Sequence, residues 1–259
     1  YISDRKSQVI GKVVASRDIP AATQLFTPNW IVRYLVQNSL GKLWLLANPS
    51  SALAQTWTYH LPFADQGEDE KREIDELFAA RARADGGRIN PESITVLDPA
   101  CGSGHILVVA YDALKAIYLE SGYQPRRIPR LILEKNLFGL DIDDRAAQLA
   151  GFALTMKARA DDRRLFDEPL ALNVYAFQET SKLDPAILSS HLSRQGVDEG
   201  LLTTLTEAFR DAKTLGALMS LPSSMRTQLI ELRSHLAASA NDADMFFRQA
   251  SRDFLPIVD

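Results

Sequence analysis

The chain has 259 residues, 46% of them hydrophobic and 24% charged, the mixture of a globular protein that can bury a core. At roughly 100–200 residues per domain it holds one large domain or a core with an annex. Lys+Arg total 29 against Asp+Glu 33, a net charge of -4 and a pI of about 5.7, which excludes a polybasic protein that grips nucleic acid by bulk charge but leaves room for a local basic face. The single cysteine, Cys101, has no internal disulfide partner, and no apolar run nears the roughly 18–20 residues that span a bilayer. These features predict a reducing, cytoplasmic setting without a membrane. No signal peptide is visible, and a chain running from Tyr1 to an apolar Phe254–Val258 stretch reads as a piece of a longer polypeptide.

The first strong element begins at Thr27-Pro28, with Thr27 expected to cap and Pro28 to take the first helical position. Ile31, Val32, Leu35, Val36, Leu40, Leu43 and Trp44 then recur at helical spacing, and Trp30 and Trp44 are expected to anchor a core. Asn48-Pro49 ends that run. Residues 68–84 predict a charged surface helix stopped by Gly86-Gly87. Ile94 to Leu97 reads as a short strand, followed by a glycine-bearing turn and a helix over about 103–121. Leu137–Asp141 is a second strand. Asp143 or Asp144 then caps a helix through Arg159, with Leu149, Phe152, Ala153 and Met156 on one face. Residues 171–177 predict a third strand. This alternation implies an α/β fold with a parallel sheet. Beyond Lys182 only helical patterns follow, at about 184 onward, 198–214, 224–239 and 242–254, an annex to that core. The expected division is therefore an N-terminal helical segment over 1–92, a partial sheet core over 93–182 and the helical annex over 183–259.

The informative loop is Asp98-Pro99-Ala100-Cys101-Gly102-Ser103-Gly104. Gly102 and Gly104 sit where a strand turns sharply into a helix, lack a Cβ, and so admit close approach of a ligand and positive φ. A dinucleotide fingerprint needs a third glycine, where Leu107 stands; a P-loop needs Gly-Lys-Ser/Thr, where His105-Ile106 follows Gly104. An acid at the end of the first strand would repel phosphates and suits a cationic amino-acid group instead. Asp141 ends the second strand, the place where a carboxylate holds ribose hydroxyls. It lies 37 residues after Gly104, against roughly 20 in a compact unit, and the 122–130 loop accounts for the excess. A nucleoside carrying a charged amino acid satisfies both acids together, and S-adenosylmethionine is that molecule.

Asp98–Gly104 resembles the first motif of N6-adenine DNA methyltransferases, Gly139–Asp143 their second, and Phe26-Thr27-Pro28 the segment that precedes the glycine loop and closes over the methionine end. Ile19–Pro28 and Val32–Trp44 resemble the PglX-type methyltransferases of BREX phage-defence systems, a likeness covering about residues 1–180. The resemblance implies a Rossmann-like, S-adenosylmethionine-dependent core. It places Thr27 and Pro28 beside the methionine, Asp98, Ala100, Gly102 and Gly104 around the amino-acid part, Asp141 on the ribose and Ile142 on the adenine. The third motif residue, which holds the adenine amino group, falls on Asn173, Gln178 or Glu179. It also implies double-stranded DNA and other phage-defence proteins as partners.

The family's base-handling tetrapeptide, Asn/Asp-Pro-Pro-Tyr/Phe, is missing; Asn48-Pro49-Ser50-Ser51 lies upstream of the loop and lacks the aromatic ring. The chain is thus expected to be the cofactor half of the enzyme, without a catalytic residue of its own and inactive alone. The alternative is a non-catalytic binding or scaffold module with a cofactor-like pocket. Cys101 reads as a small buried filler, and His60, His105, His191 and His235 lack the spacing of a metal site. Arg126, Arg127, Arg130, Lys157, Arg159, Arg163 and Arg164 read as a solvated face before a phosphate-binding one.

Overall fold

The computed structural model describes residues 27–62, 67–180, 199–219, 228–230 and 232–234. Helices α1 (Asn29–Asn38) and α2 (Leu40–Ala47) replace the single helix expected there. Pro28, not Thr27, is the cap residue: its carbonyl accepts from the N–H groups of Ile31 and Val32 at 2.9 and 3.2 Å, and no side chain caps the helix. The break falls at Ser39, whose hydroxyl donates to the Leu35 carbonyl at 2.8 Å and competes with the helical ladder. Of the expected apolar face only Val32, Val36, Leu40 and Trp44 are buried, a narrower stripe that Gln37 and Gly41 join, where α1 and α2 pack on the central helix. Trp30 is 56% exposed and anchors no core. Trp44 does, with its indole N–H donating to Glu120 at 2.8 Å.

Helix α3 (Glu68–Ala84) is the expected surface helix, with Glu68, Asp69 and Glu70 in its first turn and Arg81 and Arg83 in its last, matching the helix dipole. Strand β1 (Val96–Asp98) starts later than expected. The buried Asn136 explains this, since its amide donates to the carbonyls of Pro91 and Ile94 at 2.7 and 2.6 Å and holds that segment out of the ladder. Its oxygen accepts from the Tyr118 hydroxyl at 2.9 Å.

Helix α4 (His105–Glu120) follows β1; a short α5 (Ile128–Leu131) and a π turn (Ile132–Asn136) lead into β2 (Leu137–Asp141). Helix α6 (Asp144–Asp161) then leads to β3 (Asn173–Ala176). The strands form one parallel sheet in the order β1-β2-β3, with Asp98 beside Gly139 and Asp141 beside Ala176. The fold is α/β, and the carboxyl ends of all three strands share one edge. Helix α4 is the centre of the core: Leu107, Ala110, Tyr111, Leu114, Ile117 and Tyr118 are fully buried between the sheet and α1, α2 and α6.

On α6 the expected face is reversed. Ala147, Ala150, Gly151, Leu154 and Ala158 are buried, while Leu149, Phe152 and Met156 point outward, 50–63% exposed. Small residues form the buried stripe where α6 meets the glycine turn most closely: a Cβ on Gly104 would sit 3.0 Å from the Cα and Cβ of Ala150. Arg130 and Lys157 are not free for phosphates. Arg130 donates to Glu134 and to the carbonyls of Leu165, Glu168 and Pro169, and Lys157 pairs with Asp112 at 2.7 Å.

The annex pattern over 198–214 resolves into α7 (Glu199–Ala208) and α8 (Ala212–Leu215), and 228–230 and 232–234 are helical. The helices expected from 184 and over 242–254, and the residues before Thr27, lie outside the described residues. Among the described residues no helix is long and apolar enough to cross a membrane.

Candidate cofactor site

The turn from β1 into α4 is built on two glycines with positive φ, Gly102 at 53° and Gly104 at 83°. Gly104 is the N-cap of α4, and a Cβ there would lie 3.0 Å from the Cα and Cβ of Ala150, so the loop rests directly on α6. Nothing lies within 4 Å of where a Cβ of Gly102 would be. One glycine is needed for packing and the other fronts open space. Leu107, the residue that breaks the dinucleotide pattern, is fully buried. A Cβ on Gly139 would approach Leu107 Cδ1 to 2.9 Å, so the strand supplies the glycine that a dinucleotide fold takes from the helix.

The loop and β2 are stitched together. The Cys101 N–H donates to the Leu140 carbonyl at 2.9 Å, and the Gly102 N–H donates to Asp141 Oδ2 at 2.7 Å. Asp141 Oδ1 accepts from the Asp143 N–H at 2.9 Å. Asp98 Oδ1 accepts from the Ala100 N–H at 3.2 Å, two residues along its own turn. Asp98, Ala100, Gly102 and Asp141 therefore meet at the carboxyl end of neighbouring strands. Asp98 is only 7% exposed. Burial pushes its carboxyl above the usual range, the Ala100 N–H opposes that, and the charge of Asp141 adds to it. Neither acid has an ion-pair partner among the described residues. Two close carboxylates without a counter-ion are a built preference for a cation.

Burial, then the charges of Asp141 and Asp98, push the Cys101 thiol up to about 11. The thiolate is disfavoured, which suits a filler packed on Gly139 rather than a nucleophile. His105 opens α4, its Nδ1 3.0 Å from the Ser103 hydroxyl.

Thr27 and Pro28 lie exposed at the start of α1, which packs on α4. Ile142, half exposed, follows Asp141 at the mouth. Asp143 caps α6 by accepting from the Arg145 N–H at 2.9 Å. Asp144 is not a cap: it accepts from Lys213 Nζ at 2.6 Å and from Gln178 Nε2 at 2.8 Å. Of the three third-motif alternatives, Asn173 sits at the opposite end of β3 and donates to the carbonyls of Leu133 and Glu134. Glu179 is exposed, and Gln178 lies just past β3 at the crevice end. The spacing of motifs did not find Lys213 or Gly216. Both come from the annex, which the sequence reading took only as a run of helical patterns.

The family described as MmeI, DNA-methyltransferase domain, matches residues 87–175, a stretch that contains β1, the glycine turn, β2 and most of β3. The adenine-specific methyltransferase BrxX of Escherichia coli O9:H4 (strain HS) is 46% identical over 280 aligned positions, covering 100% of this chain and 23% of the relative. The adenine-specific methyltransferase PglX of Lacticaseibacillus casei (strain Zhang) is 42% identical over 223 positions, covering 83% of this chain and 18% of the relative. The chain spans about a fifth of the length of the curated relatives it matches.

Proposed function

We propose that this chain, homologous to one part of the adenine-specific methyltransferases BrxX and PglX, is the cofactor-binding part of an adenine-specific DNA methyltransferase of a phage-defence system. The observation that carries the reading is the hydrogen bond from the Gly102 N–H to Asp141, which brings the glycine turn and the acid of the second strand to one crevice beside Asp98. Ligands of open α/β sheets bind outside the carboxyl ends of the strands, where these residues meet.

S-Adenosylmethionine, when bound, supplies an electrophilic methyl group on a sulfonium centre. The residues fit it on chemical grounds: two uncompensated carboxylates favour a cationic amino acid and sulfonium, and the space before Gly102 admits a ligand against the backbone. Asp98, Ala100, Gly102 and Gly104 line the amino-acid part, with Thr27 and Pro28 toward the methionine. Asp141 keeps acceptor capacity for ribose hydroxyls beyond its two backbone bonds, and Ile142 offers an apolar face to the adenine. On this reading the sheet core is a Rossmann-like methyltransferase core. Transfer to adenine N6 then depends on positioning of donor and flipped base, and the base-handling tetrapeptide and DNA recognition belong to other parts of the complete protein.

Calorimetric titration of the complete protein with S-adenosylhomocysteine, wild type against Asp141→Ala, tests the reading. Removing the bridging carboxylate should weaken binding at least tenfold, about 1.4 kcal/mol. Equal affinity in the two proteins overturns it.

A further inference from the structure

Independently of the cofactor reading, we propose that the outward face of α6 seats an amphipathic helix from the remainder of the complete protein, one whose apolar stripe carries carboxylates at both ends. Helix α6 has two stripes. The inner one, of Ala and Gly, supports the glycine turn, with Ala150 against Gly104. The outer one runs Arg145, Leu149, Phe152, Met156, Arg159, at spacings of four, three, four and three residues. That alternation keeps its members in line along one side of a helix and is the seam by which two helices pack side by side. Leu149, Phe152 and Met156 are 52%, 63% and 50% exposed. Single exposed apolar residues are ordinary, whereas a contiguous strip with a polar rim marks an interface. Beside the strip, Gly151, Phe152, Thr155, Leu172, Val174 and Tyr175 line part of a groove of about 530 Å³, room for side chains of a docked helix.

The charges choose the occupant. Between Asp144 and Asp161 the chain has no acidic residue. Lys157 is paired with Asp112, Asp144 with Lys213, and Asp161 with Lys115 and the Tyr111 hydroxyl. Asp143 and Asp162 accept from backbone N–H groups at the two ends of the helix. The guanidinium groups of Arg145 and Arg159 make no hydrogen bond or ion pair among the described residues. A second copy is opposed: antiparallel pairing of two such seams sets Arg145 against Arg159, parallel pairing sets each arginine against itself, and like charges meet in both. A nucleic-acid backbone would press its phosphates on three apolar side chains. A helix with an apolar middle and Asp or Glu at each end of about 21 Å, the rise from Arg145 to Arg159, satisfies the strip and both cations. The relatives are covered over only 23% and 18% of their length, so about four-fifths of such a polypeptide lies outside this chain and supplies the occupant in cis.

Photo-crosslinking tests this, with p-benzoylphenylalanine in place of Phe152 in the complete protein and the adduct mapped by mass spectrometry. The expected adduct lies in the same polypeptide, outside these 259 residues, on a helical segment with Asp or Glu at both ends of its apolar stripe. Adducts confined to these residues, an adduct to a second copy, or an adduct on a segment without those carboxylates overturns the proposal. In a second measurement, the thiol of Phe152→Cys, followed on its own peptide, should react with a maleimide at least tenfold faster after Arg145→Glu/Arg159→Glu, which sets like charge against the docked carboxylates. Arg145→Lys/Arg159→Lys should keep the slow rate. Equal rates in the wild-type and glutamate backgrounds, at equal melting temperature, overturn the proposal. The cross-link keeps the test open if the glutamate variant fails to fold. The Asp141→Ala titration reports on the cofactor site alone, so the two readings can fail separately.

Discussion

The two faces of the sheet differ sharply. On one, Leu137, Gly139 and Asp98 are buried under α4 and α6, with Val174 half-buried beside them. On the other, Leu97 and Tyr175 are 58% and 43% exposed, with Phe138 and Leu140 half-buried between them. Parallel sheets of α/β proteins carry cover on both faces, and the described residues supply it on one. Asp98 and Asp141 alternate onto the covered side, so the layer that supplies the core also aims the acids of the site. Stability and the placement of the two acids are coupled there.

That contrast can be broken most forcefully at Leu107. Leu107→Ala opens a cavity against Gly139 and should cost about 2–5 kcal/mol in urea unfolding; a cost under 1 kcal/mol would mean that α4 is not the keystone of the covered layer. Gly104→Ala should cost roughly 1–3 kcal/mol from its positive φ, and more as the new Cβ presses on Ala150, with S-adenosylhomocysteine affinity falling alongside stability. Asp98→Asn separates the two roles. Burial, then Asp141, raises the folded-state pKa of Asp98, so the stability its neutral form contributes is present at low pH and is lost as pH rises through that raised value. The Asn protein should melt higher than wild type at pH 7, the difference shrinking on acidification below the raised pKa, while ligand affinity drops. A lower melting temperature at pH 7 would refute the account. On the open face, Leu97→Ser should shift stability by no more than about 0.5 kcal/mol in this chain.

The glycine turn and β2 were legible because their signals are local. Two glycines flanked by a strand acid and an apolar helix admit few backbone paths, and Leu137–Asp141 falls where expected. The surface helix over Glu68–Ala84 was legible for the same reason, its charges and terminal glycines being enough. Helix α6 was misjudged because periodicity weighs large apolar residues, whereas the buried stripe is made of Ala and Gly wherever backbones pack closely. Trp30 was misjudged because an aromatic near a helix start carries no sign of which side the neighbours lie on. Ser39 broke a helix that its apolar spacing continued, through a hydroxyl bond that periodicity does not see.

Sequence by itself determined the α/β order and the two acids at strand ends, since strand alternation and turn glycines are set by neighbours a few residues away. Tertiary structure alone decided that Asp141 holds the loop through Gly102, that Asn173 sits at the end of β3 away from that loop, and that Lys213 pairs with Asp144 across 69 residues. Those pairings join distant segments. Chain topology and helix packing set them, and no local pattern encodes either.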